Sequence, residues 1–169
     1  MTAEKPPATM LAIEITKPGG PDVLQANAAR PVPQPKPHGV PVKVACAGVN
    51  RPDLAQRGGT YAPPPGASDL PGLEIAGTVV ALGSDVKQWK IGDQVCALTP
   101  GGGYAQYCVT PASHCLPIPK GFSLLQAAML RATTWSLLRL RLVTMVVAKL
   151  RGASGSSRVS TVSALLRIN

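Results

Sequence analysis

Residues 120–169 of this 169-residue chain contain no aspartate or glutamate, yet they carry eight of its 17 lysines and arginines. Residues 1–119 are near balance, with nine bases and all eight acids. The net charge of +9 therefore sits almost wholly in the last fifty residues. A basic tail of this kind is expected either to meet phosphates or anionic lipid, or to be a stretch never selected to fold. Aromatic residues are scarce as well, at 4%, and Phe122 and Trp135 are the only two in the basic segment. Without aromatic interleaving or zinc-finger spacing, the charge does not predict specific nucleic-acid recognition.

Long hydrophobic runs are also missing. The most apolar stretch, LLRLRLVTMVVAKL, is interrupted by Arg139 and Arg141 and is too short to span a bilayer, so no membrane span is expected. The N-terminus, MTAEKPPATM, has no apolar core of the kind a secretory signal requires. Cys46, Cys96, Cys108 and Cys115 form no C-x-x-C pair. They read as reduced thiols in a cytoplasmic protein. His114 beside Cys115 leaves a metal site with Cys108 open, although its ligands lack the close pairing of tight zinc sites.

What the chain does have is turn chemistry: 18 prolines and 17 glycines predict short strands and many turns rather than a helix bundle. MLAIEI (10–15) alternates as a strand does, VPVKVACAGVN (40–50) begins with the same alternation, and LEIAGTVVALG (73–83) reads as a strand. Gly77 inside the last suggests a bulge or a close backbone approach. ARPVPQPKPHG is too proline-rich for a helix and reads as an extended, solvent-facing connector. RPDLAQRGG offers one helical turn stopped by Gly58 and Gly59. QVCAL follows a tight turn at GDQV, and YAQYCV alternates again. Gly101, Gly102 and Gly103 lack the strand-to-helix setting and the following Lys-Ser/Thr of a phosphate loop, so they read as a hairpin bend. Ser123 is placed to cap a helix beginning at Leu124. No internal repeat is visible. The expected fold up to about residue 120 is mainly β with minor α, a small barrel or sandwich.

The stretches GVNRPDL, YAPPPGASDLPGLEIAGTVVALG, WKIGDQVCAL, GGGYAQY and IPKGFSLLQAAML follow one another in this order. In them the chain resembles the N-terminal half of a quinone oxidoreductase of the medium-chain dehydrogenase/reductase superfamily, and most of all the p53-inducible type. The resemblance covers residues 10–130. It implies a GroES-like β-barrel over residues 1–125, followed over 126–169 by the incomplete start of a Rossmann-type domain. Zinc-dependent members are similar but carry Cys in G-V-C-x-x-D-L and His in P-G-H-E. Asn50 and Leu73 stand there in this chain. Leucine has no lone pair for a metal, and Glu74 alone cannot hold a catalytic zinc. The zinc-independent branch is therefore implied, with no metal ligands.

In that branch hydride passes from NADPH to a quinone or an activated alkene, and the protein supplies orientation and a polar handle. The resemblance implies Asn50 and Tyr61 as the catalytic pair lining the cleft. It implies Asn50, Thr133, Thr134 and Gly155 as cofactor contacts, and a homo-oligomer for the complete enzyme. From spacing alone, Asn50 reads equally as a residue capping the next helical turn, and Tyr61 as barrel packing. Arg51 and Arg57 would either steer cofactor phosphates or simply solvate a surface.

RGASGSSRVS (151–160) lies where the family has a glycine-rich loop, but Arg158 and Ser160 replace its two later glycines. Those glycines permit the tight turn and the approach of backbone to pyrophosphate. The expectation is a damaged nucleotide loop in a truncated oxidoreductase, inactive alone. The alternative is a non-catalytic GroES-like binding module with a basic C-terminal tail.

Overall fold

The computed structural model describes residues 6–128 and 165–167. Two antiparallel strands, β1 (Thr9–Ile15) and β2 (Leu24–Pro31), form a hairpin. A six-stranded sheet follows, built from β3 (Gly39–Gly48), β4 (Glu74–Val79), β5 (Gln94–Leu98), β6 (Tyr107–Pro111), β7 (Cys115–Pro117) and β8 (Leu165–Arg167). Its order is β6-β3-β4-β5-β7, and β8 pairs with the far end of β3. The hairpin and the sheet meet at an Ala12–Ala105 bridge, where Ile13 N–H donates to the Tyr104 carbonyl and Gln106 N–H to that of Leu11. Two helices complete the described fold: α1 (Arg51–Arg57) and α2 (Leu124–Ala127).

The alternation read in the sequence becomes a two-sided sheet. Val40, Val42 and Val44 of β3 face the main core with Ile75 and Val79 of β4 and Val95 and Ala97 of β5. The intervening residues Ala76 and Cys96 face the other way, under Ala127 and Ala128 at the end of α2. On β3 the phase changes once. The register slips between Val44 and Cys46, after which Ala47 faces the main core and Cys46 the second cluster. A bulge adds one residue to one strand and so inverts every side chain beyond it. Gly77 lies opposite Val44. A Cβ there would strike the Lys43 carbonyl oxygen and Val42 Cγ1, so the close backbone approach anticipated at this glycine is present.

The strands expected over 10–15 and 40–50 form as β1 and β3, and the single helical turn becomes the seven-residue α1. Ser123 caps α2, its hydroxyl accepting from Gln126 N–H at 3.3 Å. Two stretches differ. β2 had no strand signature, because its burial runs two exposed residues for each half-buried one instead of alternating. It forms an edge pair held by backbone bonds to β1, and it takes in the first residues of the expected connector. The strand expected over 73–83 ends at Val79, where Val80 N–H turns to the Pro41 carbonyl and Gly83 N–H to that of Gly39.

All four cysteines are buried free thiols. Cys108 lies 3.4 Å from Thr99 Oγ1, and Cys115 Sγ reaches the Pro111 carbonyl at 3.8 Å. Burial pushes the Cys108 thiol up to about 11 and that of Cys115 up to about 12, from an ordinary 9.0. The folded chain thus binds more protons than the unfolded one between pH 9 and these values. From pH 7 to pH 9 these thiols leave its stability unchanged, and above pH 9 it is expected to fall, by about 1.4 kcal/mol per pH unit for each thiol that stays protonated in the fold. Urea midpoints from pH 7 to pH 11 check this; a midpoint constant to pH 11 would contradict it.

Candidate functional site

β3 ends at Gly48, and the chain turns through Val49 and Asn50 into α1. Asn50 is extended (φ −121°, ψ 161°) at the N-cap position, and Pro52 suits the first helical turn because it has no N–H to leave without a helical partner. The cap bond is made by Asp53, whose carboxylate accepts from Asn50 N–H at 2.7 Å. Asn50 and Asp53 form a capping box at the head of α1, and the Asn50 Nδ2 also donates to Glu74 Oε2 at 3.1 Å. The capping reading of this residue therefore holds alongside a bond across to β4.

Asp53 does more than cap. It is 4% exposed, and it also accepts from Gly72 N–H at 3.1 Å and from the Tyr104 hydroxyl at 3.1 Å. One carboxylate thus ties the start of α1, the entry to β4 and the segment before β6. Burial pushes its carboxyl above the ordinary 3.8, and the three donors pull it back without cancelling that rise. Burial, reinforced by the neighbouring Asp53 carboxylate, holds the Tyr104 phenol far above its usual range. Tyr104 at neutral pH is a donor, and Asp53 its acceptor. Glu74 is likewise 4% exposed, and its charge adds to the burial that raises the Cys96 thiol.

The glycines around this network are there for space. Gly72 has φ +100°, and a Cβ on it would lie 2.5 Å from Tyr104 N and 2.6 Å from its Cδ1. Gly101 (φ 150°) and Gly102 (φ 84°) make the bend before β6. The N–H groups of Gly102 and Gly103 are taken by the Leu70 and Gly72 carbonyls. This triple glycine is a bend, as its context implied, with two of its amides already bonded and so no cradle for a phosphate.

Tyr61 is half-buried on the loop after α1. Among the described residues its hydroxyl makes no hydrogen bond and none joins it to Asn50. Arg51 is exposed at the head of α1, while Arg57 is half-buried at its tail. Thr133, Thr134 and Gly155, the expected cofactor contacts, lie outside the described residues, as does most of the expected Rossmann-type segment. No group of three or more His, Cys, Asp or Glu suited to a metal occurs among the described residues.

Sequence reading missed Asp53 and Tyr104. Asp53 carried a signal, since an acid three residues after an Asn N-cap is half of a capping box. Tyr104 carried none: its partner is 51 residues away.

Residues 36–120 match the alcohol dehydrogenase GroES-like domain. The chain belongs to the alcohol dehydrogenase GroES-like domain family. Within the medium-chain dehydrogenase/reductases it groups with proteins named quinone oxidoreductase. That of Rattus norvegicus is 36% identical over 122 residues, covering 72% of this chain and 37% of the rat protein. The crystal structure of a human synaptic vesicle membrane protein VAT-1 homolog-like protein superposes with a TM-score of 0.69 at 31% identity, over 78% of this chain and 43% of that one. A mycobacterial relative solved in complex with NADPH gives 0.66 at 32% identity, over 78% and 41%. The chain spans a little over a third of the length of the curated quinone oxidoreductases it matches.

Proposed function

We propose that this GroES-like unit forms the substrate-side wall of a zinc-independent NAD(P)H:quinone oxidoreductase, with a quinone or activated alkene as acceptor. One observation carries the reading. Where zinc-dependent relatives place a cysteine ligand, this chain has an amide bonded to the Glu74 carboxylate. That arrangement orients a polar group instead of coordinating a metal. Asn50 keeps a second amide hydrogen for a ligand, and Tyr61 adds a hydroxyl on the neighbouring loop. NADPH, the cofactor in the mycobacterial complex, supplies hydride when bound. The chain's own part is to hold the acceptor oxygen on a donor while charge develops there. Residues 1–125 are read as the GroES-like unit and 126–169 as the start of a Rossmann-type unit carrying Thr133, Thr134 and Gly155. Four free thiols suit a cytoplasmic setting, and no helix among the described residues is long and apolar enough to cross a membrane.

The test grafts residues 1–125 onto the remaining two-thirds of the rat quinone oxidoreductase and follows NADPH oxidation with 1,4-benzoquinone. The graft should turn over. Asn50→Ala in it should lower kcat/KM about 100-fold, the usual cost of one donor aimed at developing charge. A folded graft that binds NADPH yet reduces no quinone would overturn the reading in favour of a non-catalytic binding module.

A further inference from the structure

A cavity of about 560 Å³ opens on another part of the barrel. One wall is β6, whose Cys108 and Thr110 are buried while Tyr107 and Val109 are half-buried. A second wall is the proline-rich connector between Pro31 and Gly39, and a third combines Gly66, Ala67, Ser68 and Leu70 with the Pro100–Gly102 bend. None of Asn50, Asp53, Tyr61 and Glu74 lines it. Its size lies in the range of small-molecule sites. The prolines fix the connector's backbone, so one wall is formed before any ligand arrives.

The lining has a definite chemistry. Met10, Leu70, Val109 and the prolines make it largely apolar, and no aspartate or glutamate belongs to it. Three basic residues do: Arg30, Lys36 and His38. Arg30 is occupied, bonding Glu14 at 3.0 Å and also Asp69. His38 Nδ1 lies 3.3 Å from the Asp85 carboxylate. Lys36 has no carboxylate partner among the described residues, and it sits on the same turn as His38, closed by Gly39 N–H on the Lys36 carbonyl at 2.8 Å. An apolar hollow with an unpaired ammonium at its rim matches one kind of occupant.

We propose that this cavity binds a small apolar monocarboxylate, of the size of a medium-chain fatty acid, with its carboxylate on Lys36 and its body between β6 and the connector. Decanoate is the probe. Titration calorimetry on the whole chain, with the Met10 methyl followed by NMR, should show saturable one-site binding with Kd below about 1 mM. Uncharged 1-decanol should bind about fivefold more weakly, and Lys36→Glu should weaken decanoate by a similar factor, the scale of one exposed charge pair. Ala67→Trp should fill the hollow and abolish binding. Lys36 is exposed, so its variant folds whatever becomes of Ala67→Trp. Non-saturable binding, equal affinity for decanoate and decanol, or decanoate binding that survives both substitutions would each overturn the proposal.

Discussion

Gly72→Ala is expected to destabilise the barrel by about 3 kcal/mol or more. A non-glycine residue held at φ +100° costs on the order of 1–3 kcal/mol. Its Cβ would also meet Tyr104 N at 2.5 Å and the Gly103 carbonyl carbon at 2.7 Å. These are backbone atoms that cannot swing aside, and overpacking of this sort costs a further ~1–3 kcal/mol. Gly66→Ala is the control. Gly66 also has a positive φ, 78°, but nothing lies within 4 Å of its Cβ position, so only strain of about 1–2 kcal/mol applies. Urea midpoints of the two variants decide the matter; equal losses would show that contact with the Tyr104 segment contributes nothing.

Asp53→Ala comes next in size. It would leave Asn50 N–H and Gly72 N–H without their acceptor, and the Tyr104 hydroxyl with only the Gly48 carbonyl at 3.5 Å. Each buried donor left without an acceptor costs about 1–3 kcal/mol, and relaxation or entering water recovers part, so a total of about 3 kcal/mol is expected. Tyr104→Phe removes one of the same three bonds without stranding a donor and should cost about 1 kcal/mol. Because the two residues share a bond at 3.1 Å, the double variant should lose less than the sum of the two singles, with a coupling of about 1 kcal/mol. Additive losses in the denaturation cycle would mean that the network does not act as one clamp.

Much of this architecture was legible because it rests on local rules. Alternation marked β1, β3 and β6, since side chains on a strand must point alternately to core and to the opposite face. Ser123 marked the head of α2, since a hydroxyl one residue before a helix satisfies an otherwise open N–H. The ordered motifs from GVNRPDL to IPKGFSLLQAAML marked the family. β2 escaped because an edge hairpin exposed along much of its length has no buried face to pattern. The early end of β4 escaped because it depends on the turn that Gly83 makes against the connector.

For the site, the sequence by itself determined the residue types: an asparagine and a leucine where a metal would need softer ligands, and an acid three residues beyond the asparagine. Only the tertiary structure decided what those side chains do. The Asn50 amide takes part in a capping box with Asp53, and the register of β3 against β4, shifted by the bulge at Val44/Cys46, brings Glu74 opposite Gly48 and so within reach of its Nδ2. Asp53 and Tyr104 meet across 51 residues, where no local preference acts and only the closing of the barrel brings acceptor and donor together. Local rules fix which groups are available; the long-range pairing of strands fixes which of them touch, because only folding can offset the entropy of bringing distant segments together.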